Sequence, residues 1–208
     1  NVWVSILMKK KFRVAFLDRD GVINKTNLQN RYIGYKKNFK LIPGAIASIK
    51  YLKSLNYKVV IVTNQSGIAR GYFTHNDVNK LHKYLQYILK KKNTNLDKIV
   101  ICPYHKDGII KKYKKNSILR KPKIGMFTQA KNDLNIDIEK SWVVGDSNRD
   151  ILAAKNAGMK SVLIHSETES IDKENSYKVT PDYIAEDLNK AVKLILKEIG
   201  KWLYVEHH

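Results

Sequence analysis

Apolar residues fall along this chain in short continuous runs, separated by stretches with helical spacing. The runs at residues 14–17, 59–62, 99–101, 142–144 and 161–164 are rich in Val and Ile. They are too short for buried helices, so each predicts a buried strand. Pro43-Gly44, followed by Ile46, Ile49, Leu52 and Leu55, predicts a helix after the first loop. Thr74 with Asp77 three positions on reads as a capping-box start. Behind it, Val78, Leu81, Leu85, Ile88 and Leu89 share one helix face. Further helices are predicted over 126–134, 149–157 and 188–199, and the polar stretch 167–178 predicts a surface loop. No internal repeat or Pro/Gly/Ser-rich linker interrupts the series, so residues 8–204 read as one domain. Strand alternating with helix predicts an α/β fold of three layers, α/β/α, around a central parallel sheet.

That architecture makes a testable statement about the polar residues. Open parallel sheets bind ligands beyond the carboxyl ends of their strands. Asp18 follows the first predicted strand, Thr63 and Asn64 follow the second, and Asp146 follows a later one. All three clusters should meet at one edge of the sheet. Asp18 and Asp20 stand one residue apart, and Asp146 and Asp150 lie in Gly145-Asp146-Ser147-Asn148-Arg149-Asp150. Carboxylates gathered at the end of a buried sheet are costly unless a cation joins them, and magnesium is the usual hard cation beside phosphates. Helix capping alone explains Asp150 but not the set. Thr63 and Asn64 can donate to phosphate oxygens, Gly67 and Gly71 permit close backbone approach, and Arg120 and Lys121 can neutralise a transferring group.

Composition narrows the partners only partly. The chain has 39 basic and 19 acidic residues, a formal charge of +20. That excess suits anionic partners such as phosphorylated metabolites or nucleic acid. The lysines are scattered in small clusters, at residues 9–11, 90–92 and 111–115, which equally fits a generally lysine-rich composition. One cysteine, Cys102, excludes an internal disulfide framework and points to a reducing, cytoplasmic setting. No apolar run reaches the roughly 18 residues of a membrane span, so no membrane partner is expected. Met8 reads as a natural start with residues 1–7 as an extension. Residues 205–208 read as the remnant of a purification tag, so His207 and His208 are left out of the site.

The motifs in order are Asp18-Arg19-Asp20-Gly21, Thr63-Asn64, Lys121, and Gly145-Asp146 with Asp150. They resemble the four motifs of the haloacid dehalogenase superfamily over roughly residues 13 to 165. The resemblance implies a Rossmann-like fold and a Mg²⁺-dependent phosphatase. Asp18 would attack phosphorus and form an aspartyl-phosphate, while Asp20 would act as acid and then base. Magnesium would be held by Asp18, the main-chain carbonyl of Asp20, and Asp146. Thr63 and Asn64 would hold the phosphate, Lys121 would bridge nucleophile and phosphoryl group, and Arg70 and Arg120 would bind substrate. Asp150 is expected beside the metal or at a helix start, not as a direct ligand. The run at residues 16–24 is similar to the branch that acts on heptose bisphosphates and histidinol phosphate. Residues 63–71 and 120–126 favour its heptose members, and with them a small phosphorylated sugar substrate from the synthesis of nucleotide-activated heptose for surface glycans.

Many members of that branch hold a structural zinc through Cys-x-His and Cys-x-Cys. Here the first half is Cys102-Pro103-Tyr104-His105 and the second is Ser117-Ile118-Leu119, so no zinc is expected and Cys102 and His105 read as remnants. Four lysines mark residues 108–117 as a mobile or substrate-facing loop. The gap between Asp20 and Thr63 admits only a minimal cap, a flap over 30–39 whose Tyr32, Tyr35 and Lys36 could line the entrance. An open site leaves two other substrates in play, histidinol phosphate and a polynucleotide 3′-phosphate; a non-catalytic phosphometabolite-binding protein is the remaining alternative. A monomer is expected.

Overall fold

The computed structural model describes residues 11–26, 32–165 and 177–205, with side chains through residue 200. The expectations for residues 1–7, for 206–208 and for most of the loop over 167–178 fall outside that set, as do Asn30 and Arg31 of the expected flap.

Six strands, β1 (Val14–Leu17), β2 (Lys58–Asn64), β3 (Lys98–Cys102), β4 (Trp142–Gly145), β5 (Lys160–Ile164) and β6 (Tyr183–Ala185), form one sheet in the order β3-β2-β1-β4-β5-β6. Every neighbouring pair is parallel. β6 was not among the predicted strands. Its three residues have only Ala185 buried, too little apolar signal to separate it from a loop. Five helices cross between or follow the strands: α1 (Ala45–Ser54), α2 (His75–Lys91), α3 (Gly125–Asp133), α4 (Asn148–Asn156) and α5 (Leu188–Val205). Among the described residues, no helix is long and apolar enough to cross a membrane.

The period-2 geometry of the strands builds two cores. Ala15, Leu17, Val59, Ile61, Trp142 and Val144 face the side covered by α1, α2 and α5, where Ile49, Leu52, Leu81, Leu85, Val192 and Ile195 are buried. Val14, Phe16, Val60, Val62 and Val143 face α3 and α4, packing on Met126, Phe127, Ala130, Ala153 and Ala154. A sheet buried on both faces explains why its strands read as continuous apolar runs. Thr74 caps α2 as expected, accepting from the Asp77 N–H at 3.1 Å while the Asp77 carboxylate accepts from the Thr74 N–H at 2.9 Å.

Candidate active site

The sheet order makes β1 the central neighbour of both β2 and β4, so the residues after these strands meet at one edge. Asp18 continues β1 and donates its N–H to the Val144 carbonyl at 2.9 Å, which fixes it beside β4. The Arg19 N–H donates to Asp18 Oδ1 at 2.7 Å and aims that carboxylate. The chain then turns through Gly21, whose φ of +82° belongs to the left-handed region that glycine enters freely. A Cβ at Gly21 would lie 2.0 Å from Asp146 Oδ2. Absence of a side chain there lets the loop after β1 close on the loop after β4.

Lys121 reaches the same point from the segment before α3. Its Nζ lies 3.2 Å from Asp18 Oδ1 and 2.5 Å from Asp150 Oδ1, and donates to the Val62 carbonyl at 2.8 Å. Asn64 sets its position: the Lys121 N–H donates to Asn64 Oδ1 at 3.1 Å, and Asn64 Nδ2 donates back to the Lys121 carbonyl at 3.3 Å. That amide, expected to contact phosphate, is thus engaged at both ends with the lysine main chain. Asp150 belongs to the capping box of α4, its Oδ2 accepting from the Ser147 N–H at 3.2 Å and hydroxyl at 2.7 Å, while its other oxygen faces Lys121.

Ligand oxygens of Asp18, Asp146 and Asp150 all lie within 4.8 Å of one another. Three carboxylates against the single ammonium of Lys121 leave two excess negative charges in a largely desolvated space. The titration behaviour follows. Burial pushes Asp18 up to about 6; Lys121 opposes this, and the Asp150 and Asp20 charges add to it. Asp146 is raised well above the carboxylate range, first by burial and then by Asp18 and Asp150. Burial alone would lower Lys121, but Asp150 and Asp18 outweigh it and hold its pKa above the ordinary value. A hard divalent cation with oxygen ligands supplies the missing two positive charges, so this donor set fits one.

Asp20 points into a second network. Its Oδ1 accepts from Arg19 Nη2 at 2.9 Å and Asn24 Nδ2 at 2.9 Å, and its Oδ2 from Arg19 Nη2 at 2.9 Å and Gln65 Nε2 at 2.8 Å. Gln65 Nε2 also donates to Thr63 Oγ1 at 2.9 Å, so the buried Thr63 hydroxyl keeps its own proton for another acceptor. Arg19 is wholly buried and further contacts His82 Nε2 at 3.1 Å, Gln65 Oε1 at 3.3 Å and, closely, the Ile33 carbonyl. Arg19, Asn24, Gln65 and His82 escaped the sequence reading as site residues. A signal existed for His82, four residues after Val78 on the apolar stripe of α2; a polar ring on such a face needs a buried partner.

The remaining expected residues lie outward of this centre. Arg70 Nη2 is 3.3 Å from His105 Nε2, and its guanidinium carbon lies 6.0 Å from the Tyr32 ring centroid. Arg120 is half-buried directly before Lys121, its N–H bonded to the Ser117 carbonyl. Tyr32 packs against Tyr72 with ring centroids 4.9 Å apart, and the Tyr35 hydroxyl donates to the Tyr72 carbonyl. Lys36, expected at the entrance, lies instead over the Tyr84 ring of α2, 4.1 Å from its centroid. Cys102 is buried, which pushes its thiol up, and its Sγ faces the Tyr104 carbonyl. The His105 Nδ1 accepts from the Asp107 N–H. The lysine-rich loop, expected to be mobile or substrate-facing, is tied to the loop after β2, with the Ile109 and Ile110 N–H groups both donating to the Ala69 carbonyl.

Comparison with known proteins gives this geometry a context. Residues 118–191 match the HAD-hydrolase-like family model. A protein of Pasteurella multocida named D-glycero-beta-D-manno-heptose-1,7-bisphosphate 7-phosphatase is 37% identical over 183 residues, 88% of this chain and 96% of that protein. A protein of Photorhabdus laumondii named as the corresponding alpha-anomer phosphatase is 39% identical over 153 residues, 74% of this chain and 82% of that protein. Among solved structures, the D,D-heptose 1,7-bisphosphate phosphatase of B. bronchiseptica, complexed with magnesium and phosphate, superimposes with a TM-score of 0.76. It is 27% identical and covers 90% of this chain and 99% of its own.

Proposed function

This chain belongs to the haloacid dehalogenase superfamily of phosphatases, and from that premise we propose that it removes the 7-phosphate of D-glycero-D-manno-heptose 1,7-bisphosphate with Mg²⁺. The observation that carries the chemistry is the meeting of Asp18, Lys121 and Asp146 at the carboxyl edge of the sheet. The substrate reading rests on relatives of that name spanning most of the chain.

Asp18 is the nucleophile. Its oxygen attacks phosphorus, the bond to the sugar oxygen breaks, and an aspartyl-phosphate forms. Lys121, 3.2 Å from Asp18, neutralises the charge of the transferring group. Asp20 gives its proton to the departing sugar oxygen. It then takes a proton from the water that attacks the aspartyl-phosphate, releasing inorganic phosphate and restoring Asp18. The Thr63 hydroxyl donates to a phosphate oxygen. Asn64 serves this centre through the main chain of Lys121, which it holds at both ends. Asp18, Asp146 and the Asp20 main-chain carbonyl would hold magnesium, which would supply charge neutralisation for the phosphoryl oxygens. Arg70 and Arg120 bind the rest of the substrate.

The test is phosphate release with magnesium from both anomers of heptose 1,7-bisphosphate, histidinol phosphate, fructose 1,6-bisphosphate and a 3′-phosphorylated oligonucleotide. The heptose substrate should show the highest kcat/KM. Preference for histidinol phosphate or the oligonucleotide would overturn the substrate assignment and leave the chemistry standing.

A further inference from the structure

Arg19 presents its fork to Asp20 from a fully buried position, and a buried guanidinium must have every direction accounted for. Three of its contacts are to Asp20 itself, through Nε at 3.2 Å and Nη2 at 2.9 Å to each carboxylate oxygen. Gln65 and the Ile33 carbonyl meet Nη2. The described partner of Nη1 is His82 Nε2, at 3.1 Å. An arginine cannot accept a hydrogen bond, so this contact requires an unprotonated Nε2 on His82. The setting agrees: burial first, and then Arg19 and His75, bring the imidazole down to about 3. His82 therefore offers a fixed neutral acceptor at neutral pH.

His82 also has a rigid origin. It sits on the second turn of α2, between the buried Val78, Leu81 and Leu85, on a helix started by the Thr74 capping box. The same helix follows directly on the loop after β2 that supplies Gln65, two residues beyond Thr63 in the strand itself. We infer that His82 is a positioning residue, which locks the Arg19 fork and through it fixes the orientation of the Asp20 carboxylate. This rests on the reading of Asp20 as the acid and base of the reaction. Helix α2 lies outside the motif residues, and His82 touches none of the reacting atoms; its effect passes through the guanidinium.

A misoriented Asp20 should hurt most where protonation of the leaving group matters. A sugar alkoxide needs the proton as it departs, and p-nitrophenolate leaves readily without it. His82→Leu keeps the apolar volume of the site and removes the acceptor. With heptose 1,7-bisphosphate, kcat should fall roughly 10-fold, part of the ~10²–10⁴ that a placed general acid contributes, while KM holds within about a factor of two. The pre-steady-state burst of p-nitrophenolate from p-nitrophenyl phosphate should keep its rate. His82→Gln, which restores an acceptor, should recover most of the lost kcat. Arg19→Lys, which keeps the charge without the fork, gives the same selective loss and provides the measurement if His82→Leu does not fold. Unchanged kcat in the folded His82→Leu variant, or equal losses on both substrates, overturns the inference. Asp20→Asn in parallel separates the two levels. If it too spares the sugar substrate, the assignment of Asp20 fails; if it is selective and the His82 and Arg19 variants are not, the positioning role alone fails.

Discussion

Lys121 and Asp150 form an ion pair of 2.5 Å in which neither side chain is more than 2% exposed, one from the segment before α3 and the other from the first turn of α4. Lys121 is also the only ammonium placed against Asp18 among the described ion pairs. Removing one member of a buried pair leaves its partner uncompensated, a loss of about 3–5 kcal/mol. Lys121→Met should therefore lower stability by that amount in urea unfolding without added metal. Its kcat should fall by at least about 10² as well, the order expected when a group that neutralises transition-state charge is lost. Unchanged stability beside lost activity would mean that Asp150 is satisfied from elsewhere.

Gly21 and Asp146 give a second expectation, because they touch from opposite loops. A methyl at Gly21 meets Asp146 Oδ2 at 2.0 Å, and the φ of +82° is strained for any L side chain. Gly21→Ala should cost at least about 1 kcal/mol in the backbone alone. It should also displace Asp146, so activity in a magnesium titration should reach half its maximum only at a higher concentration. A variant that loses stability and keeps the same magnesium midpoint would show that the Asp146 carboxylate does not bind the ion.

The motif residues and the central strands were legible because each leaves a dense local signal: a β-branched run, then an acidic or Thr-Asn pair. A sheet edge brings such pairs together by topology alone, so Asp18, Thr63 and Asp146 could be grouped from chain order, whereas Lys121 joined them only through the family resemblance. What the chain order could not give was division of labour inside the site. Asn64 and Thr63 are adjacent, yet alternate directions along β2 send one to the Lys121 main chain and the other to Gln65. Arg19 looked like spacing between two carboxylates. Its burial depends on Ile33, Gln65 and His82, contributed by three separate segments that no local pattern links. Lys36 shows the converse: a lysine in an entrance flap found an aromatic face on α2 instead.

The carboxylate excess makes stability depend on pH and on metal together. Asp18 stands at about 6 in the folded protein and Asp146 is also raised, while unfolded aspartates titrate near ~4. A folded pKa above the unfolded value means that the folded chain binds more protons in the interval, so stability declines as pH rises through it. After chelation, this contribution should lower Tm as pH is raised from ~4 to beyond 6, while the neutral buried His82 acts in the opposite direction, so it is read as the Tm difference between the parent and Asp146→Asn. Magnesium should flatten that decline, because it binds the ionised carboxylates of the folded state. Asp146→Asn should be more stable than the parent in chelator at neutral pH, inactive, and less responsive to magnesium. A parent Tm that does not fall relative to Asp146→Asn across the same interval in chelator would contradict the buried carboxylate excess.

Asp18 carries the most demanding expectation, since two different chemistries could use the same cluster. If Asp18 is a nucleophile, the phosphoryl group spends part of each turnover bonded to its carboxylate, and the released phosphate takes one oxygen from water in the second step. If Asp18 only shaped the charge of the site, water would attack phosphorus directly and no phosphoenzyme would form. Asp18→Asn keeps the side-chain shape and the 2.7 Å hydrogen bond from the Arg19 N–H, but an amide is a poor nucleophile toward phosphorus. Turnover should drop by at least about 10³ while the fold is retained, since removing one buried carboxylate relieves the excess around Lys121. Rapid acid quench of the parent during turnover of p-nitrophenyl phosphate should trap a phosphorylated protein that hydroxylamine cleaves. The same quench of Asp18→Asn should trap none. A labelled phosphoenzyme in the variant, or near-parent turnover, would move the covalent step to another residue.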